Sequence, residues 1–190
     1  MKTIMPDELR ALVAGIFQSH GVPQSDADIA ASCMVHANSR GVDSHGVLRV
    51  AHYIKRIETG SINPAASNKV TRTSAATAML DGDDGLGHVS AQLAMLEAVR
   101  LAEESGVGFV GVNNSSHCGA LSFHVSAAIQ AGKVGMAFSQ TDKRVTAFGG
   151  KQPFFGTNPL CIGAPSAGGP PVMLDMATSL VAWGHIVKAQ

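Results

Sequence analysis

Apolar residues recur at helical spacing through the first third of the chain. Leu9, Leu12, Val13, Ile16 and Phe17 share one stripe of a segment running from Asp7 to His20, and Gly21 is placed to stop it. Ser25 is positioned to cap a second helix, with Asp26 and Asp28 in its first turn, that reaches about Arg40 before Gly41. Ser44 is positioned to cap a third, from His45 to about Glu58, ended by Gly60. Val47, Val50, Ala51, Ile54 and Ile57 form its apolar side, whereas His45, Arg49, His52 and Tyr53 fall on a different, polar face.

From about Lys69 the period shortens. Val70 to Ser74 and Ala76 to Asp81 read as short strands, and Gly82-Asp83-Asp84-Gly85 as a turn. His88 to Glu104 is an amphipathic helix, and Val107 to Val112 a continuous apolar run expected to be a buried strand. A loop from Asn113 to His117 leads to a helix from Cys118 or Gly119 to Ala131. Val134 to Ser139 is a further strand, and a Gly/Pro-rich stretch continues to about Gly169. Val172 to Leu174 makes a last strand before a helix from Thr178 to Lys188. The alternation predicts an α/β fold with a helical N-terminal part, residues 1–68, and an α/β part, residues 69–190. There is no internal repeat.

Gly106-Val107-Gly108-Phe109-Val110-Gly111 fits the dinucleotide fingerprint G-x-G-x-x-G letter for letter. The fingerprint must follow a strand and open a helix. Here it follows a helix and runs into a strand, so it is not read as a phosphate loop.

Composition narrows the function classes. Fourteen basic residues balance fourteen acidic ones, so no basic surface calls for nucleic acid. No apolar run approaches the length of a membrane span. The opening MKTIMPDELRAL places carboxylates where a signal peptide needs an apolar core, which points to the cytoplasm. Cys33, Cys118 and Cys161 fit neither a disulfide framework nor metal-ligand spacing, and the histidines show no paired ligand pattern, so no metal site is expected.

Three segments carry candidate chemistry. In Arg40-Gly-Val-Asp-Ser-His-Gly-Val-Leu-Arg49, Ser44 and His45 would sit at a helix start, which attracts a carboxylate. Arg49 could clamp that carboxylate while His45 titrates near neutrality. The plain alternative is a capping serine followed by solvated side chains. In Asn113-Asn-Ser-Ser-His-Cys-Gly-Ala120, His117 lies beyond the carboxyl end of a strand, where α/β sheets bind ligands; a polar capping loop is the alternative. Gly149, Gly150, Gly156, Thr157 and Asn158-Pro159 suggest a loop of special backbone conformation. Asp175 could bond a ribose or cap the next helix. A Ser44–His45 hydrolase is the rival enzyme class, weakened by the missing G-x-S-x-G elbow and by the adjacency of the two residues.

RGVDSHGVLRV, NNSSHCGALS, FGGKQPFFGTNPL and MLDMATS together resemble the malate/L-lactate dehydrogenase family, in the family's order and across nearly the whole chain. The resemblance implies an α/β/α sandwich of the L-sulfolactate dehydrogenase-like type, not a Rossmann fold, and a homodimer. It implies an NAD(P)-dependent oxidoreductase that moves a hydride between nicotinamide and C2 of a small 2-hydroxy or 2-keto acid. The cofactor would be NAD, with NADP an alternative. Ser44 and His45 would be relay and proton donor, and Arg49 and Thr157 would bind substrate. His117 matches a proton acceptor in ureidoglycolate dehydrogenases, so the acid/base histidine stays open between two positions. His117, Cys118, Gly119, Ala120, Leu121, Thr141, Asp175, Met176 and Ala177 match cofactor-binding positions. Gln140-Thr-Asp142 and Ala182-Trp-Gly184 look nearest to the ureidoglycolate enzymes. Family members continue past Gln190, so the chain is expected to be a truncated form, and a non-catalytic, ligand-binding or dimerising fragment is the alternative.

Overall fold

A computed structural model describes residues 3–180, which separate into two compact units, Met1–Ala120 and Leu121–Gln190. The N-terminal helical segments and the first sheet share the first unit. The chain is α/β, as its periodicity predicts.

In the first unit, α1 (Pro6–Ser19) opens with proline in its first turn, where the missing N–H costs nothing, followed by Asp7 and Glu8 against the positive helix end. Gly21, at φ +86°, lets the chain turn back, and the Val22 amide bonds the Phe17 carbonyl. Val13 and Phe17 are buried as the stripe requires, whereas Leu12 is exposed. Helix α2 (Gln24–Ser39) is preceded by Pro23 rather than capped by Ser25, which lies inside its first turn and bonds the Asp26 carboxylate. Ala27, Ala30, Ala31, Met34 and Ala37 are buried, and these mostly small side chains let neighbouring elements approach closely. The core of this unit joins Ala27, Ala30, Ala31 and Met34 to Val13, Phe17, Tyr53, Ile62, Leu86 and Val89.

The third helix departs from expectation. Residues Asp43–His45 and Val47–Arg49 form two short 3-10 turns, and α3 spans only Val50–Glu58. Asn38 of α2 is the cause: its Oδ1 accepts the Val47 amide at 2.9 Å and its Nδ2 donates to Asp43 at 2.8 Å. A Cβ on Gly46 would lie 2.2 Å from Asn38 Oδ1, so a side chain there would push Asn38 out of these hydrogen bonds.

Strand β1 (Lys69–Arg72) pairs antiparallel with β2 (Thr77–Gly85), which pairs parallel with β3 (Phe109–Ser115). Helix α4 (Gly87–Ser105) makes the crossover between the parallel strands. The expected turn at Gly82–Gly85 is instead a register shift within β2, with Asp83 and Asp84 at φ +50° and +53°. Gly106, at φ +79°, ends α4, and β3 begins at Phe109, so the glycine run opens no helix. β3 is not buried: it is an edge strand in which no residue is buried and Phe109 is 62% exposed.

In the second unit, α5 (Leu121–Gln130) covers an antiparallel sheet of order β4 (Gly135–Phe138), β7 (Leu160–Ala164) and β8 (Val172–Met176). A Cβ added to Gly135 or Gly163 would meet Ala128 or Val125, which is how closely the helix lies. Strands β5 (Val145–Thr146) and β6 (Pro153–Phe155) pair within the Gly/Pro-rich stretch, which also supplies β7. The helix expected from Thr178 falls mostly outside the described residues, as does Ala182-Trp-Gly184. No helix among the described residues is long and apolar enough to cross a membrane.

Candidate functional site

The 3-10 turns, α3 and the loop after β3 bring Ser44, His45, Arg49 and His117 together in the first unit. Because α3 starts at Val50, Ser44 and His45 do not occupy the end of an α-helix, and the dipole argument for an anion at their amides lapses. The turn has another effect. It sets Ser44 Oγ 3.0 Å from His45 Nδ1, although neighbours in sequence were expected to face apart. Arg49 Nε donates to the Ser44 carbonyl at 2.8 Å and ties the turn to the start of α3. The bond uses Nε, so the two terminal nitrogens can still donate to a carboxylate in two parallel hydrogen bonds.

The His45 and His117 rings are stacked, with centroids 5.3 Å apart and planes 27° from parallel. Tyr53 of α3 reaches His117 Nδ1 through its hydroxyl at 2.6 Å, and the Gly119 amide donates to the same nitrogen at 3.3 Å. Tyr53 is 1% exposed and packs edge-on against the buried His88 ring of α4. Its sequence position suggested a polar face. Instead the hydroxyl is turned inward because a partner waits there, 64 residues along the chain. Tyr53 and Asn38 are the residues that sequence reasoning missed, and the one signal for Tyr53 was its spacing of one helical turn from Arg49.

Burial dominates the electrostatics. It pushes the His117 imidazole down from 6.5 to about 3, helped by the nearby basic groups His45, Arg49, His52 and Arg56. Burial also raises the Tyr53 phenol, which therefore stays protonated. His52 is lowered by burial and by Arg49 and Arg56.

Gly119 sits at φ +77°, and a Cβ there would lie 2.9 Å from both Cys33 Sγ and the His88 ring. Cys118 presents its carbonyl to the Cys33 thiol at 3.8 Å, and Ala120 is buried. The loop is thus moulded onto α2 and α4.

The remaining sequence-derived positions lie in the second unit. Leu121 opens α5, and the Asp175 carboxylate accepts the Ser122 amide at 2.8 Å. Asp175 therefore caps α5, a helix that precedes it, while the helix expected to follow lies mostly outside the described residues. It is exposed on β8, beside Met176 and Ala177. Thr141 Oγ1 accepts the Thr157 amide at 2.7 Å and lies 3.2 Å from Thr157 Oγ1. A Cβ on Gly156 would come within 2.4 Å of the Thr141 carbonyl and of Asn158 Oδ1, so glycine is required at this crossing. Among the described residues no group of three or more His, Cys, Asp or Glu side chains is arranged to hold a metal ion.

The chain is similar to several known proteins. The profile of a family described as malate/L-lactate dehydrogenase matches residues 4–190. A ureidoglycolate dehydrogenase (NAD(+)) of Escherichia coli O157:H7 is 35% identical over 187 residues, covering 98% of this chain and 54% of the relative. A malate dehydrogenase of Pyrococcus abyssi is 37% identical over 183 residues, covering 96% and 50%. The solved structure of the sulfolactate dehydrogenase from Methanocaldococcus jannaschii superposes with a TM-score of 0.92 at 35% identity, covering 98% of this chain and 54% of that one. The chain thus spans about half the length of the curated relatives it matches.

Proposed function

The chain belongs to the malate/L-lactate dehydrogenase family, has that family's non-Rossmann α/β fold, and from that premise we propose that it is the part of an NAD-dependent 2-hydroxyacid dehydrogenase that holds the substrate and its proton. The observation that carries this reading is the stacked His45–His117 pair with Ser44 and Arg49 beside it. Arg49 grips the substrate carboxylate through its guanidinium, fixing C2 and its oxygen relative to the imidazoles. The histidine pair hydrogen-bonds the C2 oxygen and moves its proton, with the Ser44 hydroxyl steadying His45. Thr157 contributes a hydroxyl to the substrate.

A nicotinamide nucleotide, when bound, supplies the hydride for reduction of the keto acid and takes it up in the reverse direction. The residues present fit such a group. The Thr141 hydroxyl is a neutral partner, and exposed Asp175 offers a carboxylate suited to a ribose diol. We assign His117, Cys118, Gly119, Ala120, Leu121, Thr141, Asp175, Met176 and Ala177 to it. A carboxylate at position 175 repels a 2′-phosphate and so favours NAD over NADP, in keeping with the NAD(+) in the name of the E. coli relative. The ureidoglycolate, malate and sulfolactate enzymes among the relatives make a small 2-hydroxy acid the substrate class to test. We assign the working form to a cytoplasmic homodimer. Hydrolysis by Ser44 has no support among these relatives, although its geometric objection is gone.

The test is NADH oxidation by the 190-residue chain with pyruvate, oxaloacetate and glyoxylate-type acids, alongside NADH fluorescence titration. Turnover that survives in a His45→Ala, His117→Ala double variant would sink the assignment. Tight NADH binding with no turnover would select the non-catalytic fragment instead.

A further inference from the structure

His117 and His45 differ in what faces their Nδ1 atoms, and the difference separates their roles. The Gly119 backbone N–H can only donate, and it is directed at His117 Nδ1. A proton on that nitrogen would be driven against the amide hydrogen. Nδ1 is therefore an acceptor, Tyr53 donates to it, and the proton of the neutral ring sits on Nε2. His45 Nδ1 faces the Ser44 hydroxyl, which donates to a bare nitrogen and accepts from a protonated one equally well. His45 can change its charge without losing its partner; His117 cannot.

We infer that Tyr53 is a positioning residue which, with the Gly119 amide, holds His117 as a neutral Nε2–H hydrogen-bond donor to the C2 oxygen of a 2-keto acid, leaving His45 as the proton-transfer group. The roles of both histidines rest on the dehydrogenase reading above; the tautomer does not. In the reducing direction C2 gains a hydride from the nicotinamide nucleotide, and its oxygen gains one proton from the His45 imidazolium, which becomes neutral imidazole. His117 keeps its proton throughout and polarises the carbonyl.

The surroundings agree. His117 is faced by His45 of the first 3-10 turn and by Arg49, His52, Tyr53 and Arg56 on or beside α3, and its own loop carries Cys118. Behind Tyr53 lie His88 of α4 and Cys33 of α2. No carboxylate stands among these groups to favour an imidazolium at His117. Burial and the neighbouring cations hold it neutral far below ordinary histidine values.

The experiment is nitrogen-15 NMR of the histidine rings in the labelled 190-residue chain, from about pH 8 to pH 4.5, with His117 assigned from the signals lost in His117→Gln. The expected result is a neutral Nε2–H pattern at His117 throughout that range. In Tyr53→Phe one of the two donors to Nδ1 is gone, and protonation of His117 should become visible at the acid end of that range. An Nδ1–H pattern at His117, or its conversion to imidazolium near pH 6 in the wild type, overturns the inference, even if Tyr53→Phe does not fold. So does a folded Tyr53→Phe chain in which no protonation of His117 becomes visible. Absence of NADH binding and turnover would instead overturn the dehydrogenase reading and leave the NMR result standing.

Discussion

Acidification should destabilise this protein through His117, and the size of the effect follows from its surroundings. The ring is held at about 3 in the folded chain and returns to 6.5 when the chain unfolds. Lowering the pH therefore protonates the unfolded state first. The stability in question is complete above pH 6.5 and drains away as the pH falls toward 3, by at most about 1.4 kcal/mol per pH unit. At about pH 5 the unfolded chain is almost wholly protonated at this position and the folded chain almost wholly neutral. The difference from pH 7 then amounts to about 2 kcal/mol. Urea unfolding at the two pH values, followed by the circular dichroism of the helix-rich first unit, measures it. With a denaturant slope of roughly 2 kcal/mol per molar, the wild-type midpoint should fall by about 1 M more than that of His117→Gln. The variant subtracts the shared contribution of the carboxylates and of His52, which is lowered in the same direction. Equal midpoint losses in the two proteins would refute the claim that His117 is buried neutral.

Other outcomes follow from close contacts. Gly119→Ala forces a Cβ against Cys33 and His88 from a left-handed backbone, and should cost about 1–3 kcal/mol, read as a lowered urea midpoint. Asp175→Ala removes the carboxylate that accepts the Ser122 amide at the start of α5, and should cost about 1 kcal/mol in thermal unfolding. The same change should weaken NADH binding more than NADPH binding in fluorescence titrations. Arg49→Lys keeps the charge but loses the planar fork, so the KM for a keto acid should rise at least tenfold with a smaller change in kcat.

Helix ends were legible wherever one residue decides the backbone. Gly21, Gly41, Gly60 and Gly106 all stand at positive φ just past a helix, as their positions in the sequence suggested. The strands within 69–85 and 109–115 were legible in outline, because periodicity records which side chains alternate, although not how the strands pair. What was not legible depends on partners far away in the chain. Nothing near residue 44 announces that Asn38 will capture the Val47 amide and break one helix into two turns and a shorter helix. The apolar run from Val107 to Val112 looked like a buried strand because composition cannot distinguish a central strand from an edge one.

The same limit governed the site. Motifs supplied Ser44, His45, Arg49 and His117 one at a time, and the choice between two histidines stayed open because a sequence does not say what faces a ring nitrogen. The structure adds one buried tyrosine and one backbone amide, and both donate to the same atom. A nitrogen between two donors cannot carry a proton, whereas a nitrogen beside a serine hydroxyl can gain and lose one. The division of labour between His45 and His117 therefore rests on Tyr53 and Gly119, neither of which is itself asked to do any proton chemistry.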